Sequence, residues 1–103
     1  MTNRKIAILG AGNLGTSLAK GLLKSGLYTG SEIIMTEKRE SRTQFLRSLG
    51  FQVTDKNREA IADAGIIVMS VKPQQFASLA EEIAGSLNPD QILLPDAGDR
   101  PAK

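Results

Sequence analysis

The sequence contains no cysteine and no histidine, and these two absences limit its chemistry. Without cysteine there are no disulfides, no thiolate metal ligands and no cysteine nucleophile. Without histidine the chain lacks the commonest metal ligand and the commonest acid or base near neutral pH. The composition therefore argues against a Ser-His-Asp triad and a zinc site, and we expect neither a catalytic residue nor a metal site in this chain.

Long hydrophobic runs and a large excess of one charge are also missing. The first apolar run, Ile6–Leu9, is too short for the core of a signal peptide or for a membrane span. The 13 basic and 11 acidic residues leave a net charge of +2, which does not favour nucleic acid or an anionic membrane. We therefore expect a cytoplasmic protein that binds neither nucleic acid nor membranes.

Short apolar runs alternate with helical periods along the 103 residues, 41% of which are hydrophobic. The run "GIIVMSV", residues 65–71, lacks polar alternation, as is typical of a parallel strand that is buried on both faces. In the first predicted helix, Leu14, Leu18 and Leu22 would lie on one face. Strands are predicted at 5–9, 32–36, 51–53, 65–71 and 91–94, and helices at 13–25, 41–49 and 57–64 and from Pro73 onward.

This alternation predicts an α/β fold with βαβ units and right-handed crossovers. We expect one doubly wound domain over residues 1–94, with a mostly parallel five-stranded sheet in the order 3-2-1-4-5. Residues 95–103 would be a polar C-terminal tail, because Pro95 cannot donate to a sheet ladder.

The first strand runs into "GAGNLG", in which Gly10, Gly12 and Gly15 have the spacing G-x-G-x-x-G. With a strand before it and a helix after it, this motif is typical of a dinucleotide-binding turn. Gly10 would permit the tight turn, Gly12 would let the backbone approach a pyrophosphate, and Gly15 would let the helix pack on the sheet. The same turn could also serve helix packing alone, without a ligand.

The end of the second predicted strand carries charges of both signs. Glu37 lies 22 residues after Gly15, where an acidic residue commonly binds the ribose hydroxyls of NAD. Lys38 and Arg39 follow at once, and a basic pair there can hold the 2′-phosphate of NADP. A solvated charged loop is a third interpretation, and all three remain open.

The wider charge distribution bears on a phosphate ligand. Residues 1–58 hold 10 Lys and Arg against 4 Asp and Glu, whereas residues 59–103 hold 3 against 7. The basic half contains the glycine motif, although a chance skew explains the counts equally well.

The stretch "VKPQQ", Val71–Gln75, follows the fourth predicted strand. Ligands of open α/β sheets bind outside the carboxyl ends of the strands, which would bring Lys72 to the nicotinamide ribose. A surface lysine before a helix would give the same pattern.

These motifs together resemble the pyrroline-5-carboxylate reductase family, the last enzyme of proline biosynthesis, from about Lys5 to Leu94. The most specific stretch is "TDKNREAIADAGIIVMSVKPQQ". The resemblance implies a Rossmann-type domain that binds NADP, with NAD possible. It places Asn57 at the adenosine ribose and the charged loop at the ribose phosphate. The implied cofactor residues are Leu9, Gly10, Ala11, Gly12, Asn13, Leu14, Gly15, Glu37, Lys38, Arg39, Asn57, Ser70, Val71, Lys72 and Pro73.

The chain departs from that family at its C-terminal end. Family members are more than twice as long, and a helical second half forms their dimer and supplies the site for the imino-acid substrate. The final "ILLPDAGDRPAK" also replaces a small-residue stretch of the form Ser-Ile-Ala-Ala-Gly. We therefore expect cofactor binding without turnover in this chain, whether it is a truncated fragment, a frameshifted product or a natural short protein.

Two other functions stay open. The chain could be a non-catalytic module that senses NAD(P) or dimerises, and a fifth strand at the sheet edge could pair with a second copy in a homo-oligomer. It could also come from a related dehydrogenase that acts on hydroxy acids or uses a deazaflavin, although "VKPQQ" favours the reductases.

Overall fold

A computed structural model of the protein describes residues 5–10 and 12–95. Strands and helices alternate along this part of the chain, as the sequence predicts. The strands are β1 (Ile6–Leu9), β2 (Ile33–Thr36), β3 (Gln52–Thr54), β4 (Ile66–Met69) and β5 (Ile92–Pro95). The helices are α1 (Asn13–Lys24), α2 (Glu40–Ser48), α3 (Asn57–Ala62) and α4 (Pro73–Ala84), and a 3-10 turn at Gly30–Glu32 precedes β2.

The five strands form one parallel sheet in the order β3-β2-β1-β4-β5. The predicted fold class is therefore confirmed. The central strand, β1, pairs with β2 on one side and with β4 on the other, so the chain reverses its direction of winding at β1. The register pairs Leu9 with Met69, which brings the ends of β1 and β4 side by side and opens a crevice beyond them.

Two apolar clusters cover the two faces of the sheet, because successive residues of a strand point to opposite sides. Ile6 and Ile8 of β1 belong to the cluster that includes Ala19 of α1 and Leu46 of α2. The opposite cluster includes Ile61 of α3 and Leu79 and Ile83 of α4, and it contains Ala7 and Leu9 of β1. Each face is thus closed by one pair of helices.

The buried face of α1 is not the face that carries its leucines. The buried residues are Gly15, Thr16 and Ala19, whereas Leu14 is 42% exposed. Leu14 is not part of the buried face, because its neighbour Gly15 packs on β1, where a Cβ would lie 3.1 Å from Cγ2 of Ile8. Leu18 and Leu22 are only partly buried against the first cluster.

The edge strand β5 is the most exposed part of the sheet. Ile92, Leu93 and Leu94 are between 38% and 50% exposed. The strand extends to Pro95, which pairs with Met69, one residue past the predicted end of the domain. Proline is tolerated in an edge strand because its missing donor faces no neighbour there. The rest of the predicted tail, 96–103, lies outside the described residues.

Candidate functional site

A cleft of about 800 Å³ lies at the carboxyl ends of the strands, next to the point where the winding reverses. This volume is within the range of roughly 300–1,000 Å³ that is usual for small-molecule sites. The walls come from the turn after β1, the loops after β2, β3 and β4, and one side of α4.

Gly10 makes the turn that opens the cleft. Its φ of +87° is a conformation that favours glycine. A Cβ on Gly10 would also lie 2.6 Å from the carbonyl oxygen of Ser70 and 2.8 Å from Cγ1 of Val71. The N–H of Gly10 donates to Oγ1 of the buried Thr36 at 2.9 Å, which ties the turn to the end of β2.

The two following glycines have different surroundings. A Cβ on Gly15 would meet the carbonyl oxygen of Gly10 at 3.0 Å and Cγ2 of Ile8 at 3.1 Å, so Gly15 lets α1 pack closely on β1. Among the described residues apart from its chain neighbours, a Cβ on Gly12 would meet nothing within 4 Å, and its φ of −78° is open to any residue. The fold itself therefore requires glycine at Gly10 and Gly15 but not at Gly12, which borders the open cleft.

The N-terminus of α1 faces the same cleft through Asn13 and Leu14. Gly12 is its N-cap residue and has no side chain that could accept from the first-turn N–H groups. Those N–H groups have no intrahelical partner, and the positive end of the helix dipole lies among them. This end of the helix can bind an anion, as helix N-termini do in dinucleotide-binding folds.

The loop after β2 carries the charged residues of the cleft. Glu37 donates its N–H to the carbonyl oxygen of Thr54 at 3.0 Å, and its side chain is only 8% exposed. Its Oε1 and Oε2 accept from Nη2 and Nε of Arg39 at 3.1 and 3.0 Å. The Arg39 guanidinium lowers the pKa of Glu37 most, and partial burial of the carboxyl group opposes it.

Asn57 begins α3 and reaches α4 across the cleft. Its Nδ2 donates to Oε1 and Oε2 of Glu82 at 3.2 and 3.3 Å. Arg58 adds a second link between the helices, because its Nε donates to the carbonyl oxygen of Glu82 at 3.1 Å. Asp55, after β3, lines the same part of the cleft.

The turn after β4 forms the opposite wall. Ser70 donates its N–H to the carbonyl oxygen of Leu9 at 2.8 Å, which holds this turn beside the glycine turn. Lys72 is exposed at the start of α4, and its N–H donates to Oε1 of Gln75 at 3.3 Å. One wall thus carries an exposed ammonium group and the other carries the charged loop.

The structure brings most of the predicted site residues together. Those that line the cleft are Gly10, Gly12, Asn13, Leu14, Glu37, Lys38, Arg39, Asn57, Ser70, Val71 and Lys72. Three predicted residues do not line the cleft: Leu9 is buried in the sheet below the turn, Gly15 lies behind the turn, and Pro73 is the first residue of α4. Ala11 lies outside the described residues.

Six further lining residues were not predicted: Thr36, Asp55, Gln75, Ser78, Leu79 and Glu82. Thr36 ends β2 and Asp55 directly follows β3, so the rule that ligands bind at the carboxyl ends of strands could have found both. The other four recur at helical spacing on α4. They could have been predicted only if the side of α4 that faces the cleft had been known.

No helix within residues 5–10 and 12–95 has the length and apolar character needed to cross a membrane. Across the same ranges, no group of three or more His, Cys, Asp or Glu residues could hold a metal ion. The cleft offers backbone N–H groups, the amides of Asn13, Asn57 and Gln75, and charged side chains, which suit an anionic organic ligand.

Comparison with known proteins agrees with this arrangement. Residues 5–95 match the family model described as "NADP oxidoreductase coenzyme F420-dependent". Pyrroline-5-carboxylate reductase 2 of Dictyostelium discoideum is 39% identical over 93 residues, which are 89% of this chain and 31% of that protein.

Solved structures show the same likeness. A pyrroline-5-carboxylate reductase from Coxiella burnetii is 26% identical and superposes with a TM-score of 0.83, over 91% of this chain and 35% of that one. An imine reductase variant from Myxococcus stipitatus, solved in complex with NAD⁺, is 28% identical with a TM-score of 0.72, over 92% of this chain and 32% of that one.

The chain spans about a third of the length of the first curated relatives that it matches, 31% and 37%. The resemblance carried by "GAGNLG" and "VKPQQ" is confirmed by these matches. The chain therefore belongs to the NADP oxidoreductase family described as coenzyme F420-dependent, and it is similar to the N-terminal nucleotide-binding part of pyrroline-5-carboxylate reductases.

Proposed function

We propose that the cleft binds NADP(H), with NAD(H) as a possible second ligand. The pyrophosphate would lie against the turn at Gly10 and Gly12 and the N-terminus of α1. The adenosine ribose would lie between Asn57 and the loop after β2, and the nicotinamide ribose would lie beside Ser70–Lys72. These placements follow the walls of the cleft in order along the sheet.

The open space beside Gly12 is the observation that carries this proposal. The backbone conformation of Gly12 does not need glycine, and a Cβ there would lie more than 4 Å from every described residue other than its chain neighbours. A pyrophosphate that approaches the backbone at this point would explain why no Cβ is present. The unpartnered N–H groups of the helix end supply the donors that such an anion needs.

The choice of cofactor rests on the family and on the charged loop. The family model names NADP, while the imine reductase similar to this chain was solved with NAD⁺. Lys38 and Arg39 are exposed at the site proposed for the ribose, where they can meet a 2′-phosphate.

We further propose that this domain serves the reduction of pyrroline-5-carboxylate to proline. When bound, the reduced dinucleotide would supply a hydride from C4 of its nicotinamide to the C5 imine carbon of the pyrroline ring, and a proton would be added at the ring nitrogen. The residues of this chain bind and orient the cofactor, and we assign none of them a catalytic role. The substrate, a homo-oligomeric state and a cytoplasmic location remain predictions.

Isothermal titration of the chain with NADP⁺ and with NAD⁺ tests the proposed binding. Gly12→Ala should fold normally, because its Cβ meets open space, yet bind the nucleotide weakly. Gly21→Ala is the matched control, since Gly21 is exposed on the same helix and its Cβ also meets nothing within 4 Å. Equal affinities in Gly12→Ala and Gly21→Ala would contradict a pyrophosphate at the glycine turn.

A second assay addresses the reaction. Incubation of the chain with NADPH and pyrroline-5-carboxylate should yield no appreciable proline. Proline formation at an enzymatic rate would contradict the division of roles, because it would show that these residues also hold and activate the imine.

A further inference from the structure

Glu37 occupies the position at which an acidic residue of a dinucleotide-binding fold commonly accepts from the ribose hydroxyls. Its carboxylate is turned toward its own loop instead. We propose that Glu37 is a positioning residue, which holds Arg39 ready to bind the 2′-phosphate of NADP. This inference rests on the proposed dinucleotide function and concerns which cofactor the cleft selects.

Most of the acceptor capacity of the Glu37 carboxylate is already used. Oε2 accepts from Nε of Arg39 at 3.0 Å and from the backbone N–H groups of Lys38 and Arg39 at 3.0 and 2.9 Å. Oε1 accepts from Nη2 of Arg39 at 3.1 Å. A carboxylate offers about four lone-pair sites, so these four donors leave little for two ribose hydroxyls.

Exposure separates the two partners of the ion pair. The Glu37 side chain is 8% exposed, whereas the Arg39 side chain is 69% exposed. A ligand that enters the cleft therefore meets the guanidinium before the carboxylate. Only Nε and Nη2 of Arg39 donate to Glu37, which leaves three of the five N–H donors of the guanidinium for a phosphate.

The ion pair between Glu37 and Arg39 also determines the net charge of the loop after β2. Glu37 and Arg39 neutralise each other, so the exposed Lys38 leaves the loop with one net positive charge. The acidic groups on the other walls are Asp55 and Glu82, and Glu82 is engaged by Asn57. A free carboxylate at Glu37 would repel a 2′-phosphate, and its pairing with Arg39 removes that repulsion.

A guanidinium that is held before binding loses less conformational freedom when the ligand arrives. Glu37 restrains Arg39 at two guanidinium nitrogens and also at its backbone N–H. Glu37→Gln releases this restraint and should weaken NADP⁺ binding about three- to tenfold. NAD⁺ lacks the 2′-phosphate, so its affinity should stay within about twofold.

The experiment is a calorimetric measurement of Kd for NADP⁺ and NAD⁺ in the full chain and four variants. Arg39→Gln should weaken NADP⁺ binding about 10- to 100-fold and leave NAD⁺ binding unchanged. Adding Glu37→Gln to Arg39→Gln should cause no further loss and should recover part of the NADP⁺ affinity, because it removes the carboxylate that Arg39→Gln leaves unpaired. Glu40→Gln is the matched control, since Glu40 lies one residue beyond Arg39, pairs with Gln44 and does not line the cleft.

The alternative role of Glu37 predicts the opposite pattern. If Glu37 accepts from the ribose hydroxyls, Glu37→Gln weakens NAD⁺ binding and leaves or improves NADP⁺ binding, and that result overturns the inference. Additive losses in the double variant also overturn it. If Glu37→Gln does not fold, Arg39→Gln still tests the inference, because the Arg39 side chain is exposed and its replacement should not disturb folding. Unchanged NADP⁺ affinity in Arg39→Gln contradicts the inference.

The unmodified chain separates this inference from the proposed function. Binding of NAD⁺ without NADP⁺ overturns the role of Glu37 while the dinucleotide site stands. Failure to bind either nucleotide overturns both.

Discussion

Replacement of Gly10 by alanine should destabilise the fold before any ligand is considered. Gly10 has a φ of +87°, and an added Cβ would lie 2.6 Å from the carbonyl oxygen of Ser70. That oxygen belongs to the backbone of the turn after β4, so it cannot move aside as a flexible side chain could. The turn at Gly10 must therefore either shift away from the turn after β4 or lose the hydrogen bond from the N–H of Gly10 to Thr36.

The cost of Gly10→Ala follows from two contributions. A left-handed conformation costs a non-glycine residue about 1–2 kcal/mol. Overpacking against fixed neighbours typically adds about 1–3 kcal/mol. We therefore expect a loss of about 2–5 kcal/mol, which is large against the roughly 5–15 kcal/mol that hold a typical domain together.

Urea unfolding followed by circular dichroism measures this loss. The midpoint of Gly10→Ala should fall while the slope of the free energy of unfolding against urea concentration stays the same. Gly21→Ala is the control, and it should be more stable than the unmodified chain by about 0.5–1 kcal/mol, because Gly21 lies in a helix with open space around it. A Gly10→Ala variant as stable as the unmodified chain would refute the predicted clash.

Three further predictions concern hydrogen bonds. Thr36→Val should cost about 1–3 kcal/mol in urea unfolding, since it leaves the N–H of Gly10 without its acceptor; no change would contradict the role of Thr36 at the turn. Gln91→Leu should cost a similar amount, about 1–3 kcal/mol, because Nε2 of Gln91 donates to the carbonyl oxygens of Ile61 and Ala64 at 2.7 and 2.8 Å; Gln91→Glu, which places a carboxylate oxygen against the same carbonyl oxygens, should cost at least as much, and no loss in either variant would contradict the role of Gln91. Arg39 lowers the pKa of Glu37 below its ordinary value of 4.5, so this pair stabilises the fold at higher pH, and its contribution is lost as pH falls through the lowered pKa. Acid unfolding curves should therefore show Glu37→Gln losing less stability than the unmodified chain below about pH 4.5, and parallel curves would contradict the ion pair.

The sheet order could be predicted because the information it needs is local. Each strand and helix is marked by its own periodicity, and right-handed crossovers then leave few arrangements for a βαβ chain. The run around Ile67 and Val68 has no polar residue facing out, so its burial on both faces of the sheet followed from its composition alone.

The glycine turn could be predicted for the same reason, since Gly10, Gly12 and Gly15 lie within one turn of the chain. The contact between Asn57 and Glu82 could not, because it joins two helices across 25 residues and depends on how α3 and α4 pack. The orientation of the Glu37 side chain also could not be predicted from the sequence. A carboxylate beside a lysine and an arginine can turn toward a ligand or toward its own loop, and only the positions of the donors decide between them.

The most direct test of the proposed cofactor site is an amide chemical-shift map of the chain titrated with NADP⁺. The largest shifts should fall on residues 10, 12–15, 37–39 and 70–72, which surround the cleft. Residues 44–48 and 85–91, at the opposite ends of the helices, should stay unchanged. Shifts confined to that opposite end, or no shifts at saturating NADP⁺, would contradict a dinucleotide site at the glycine turn.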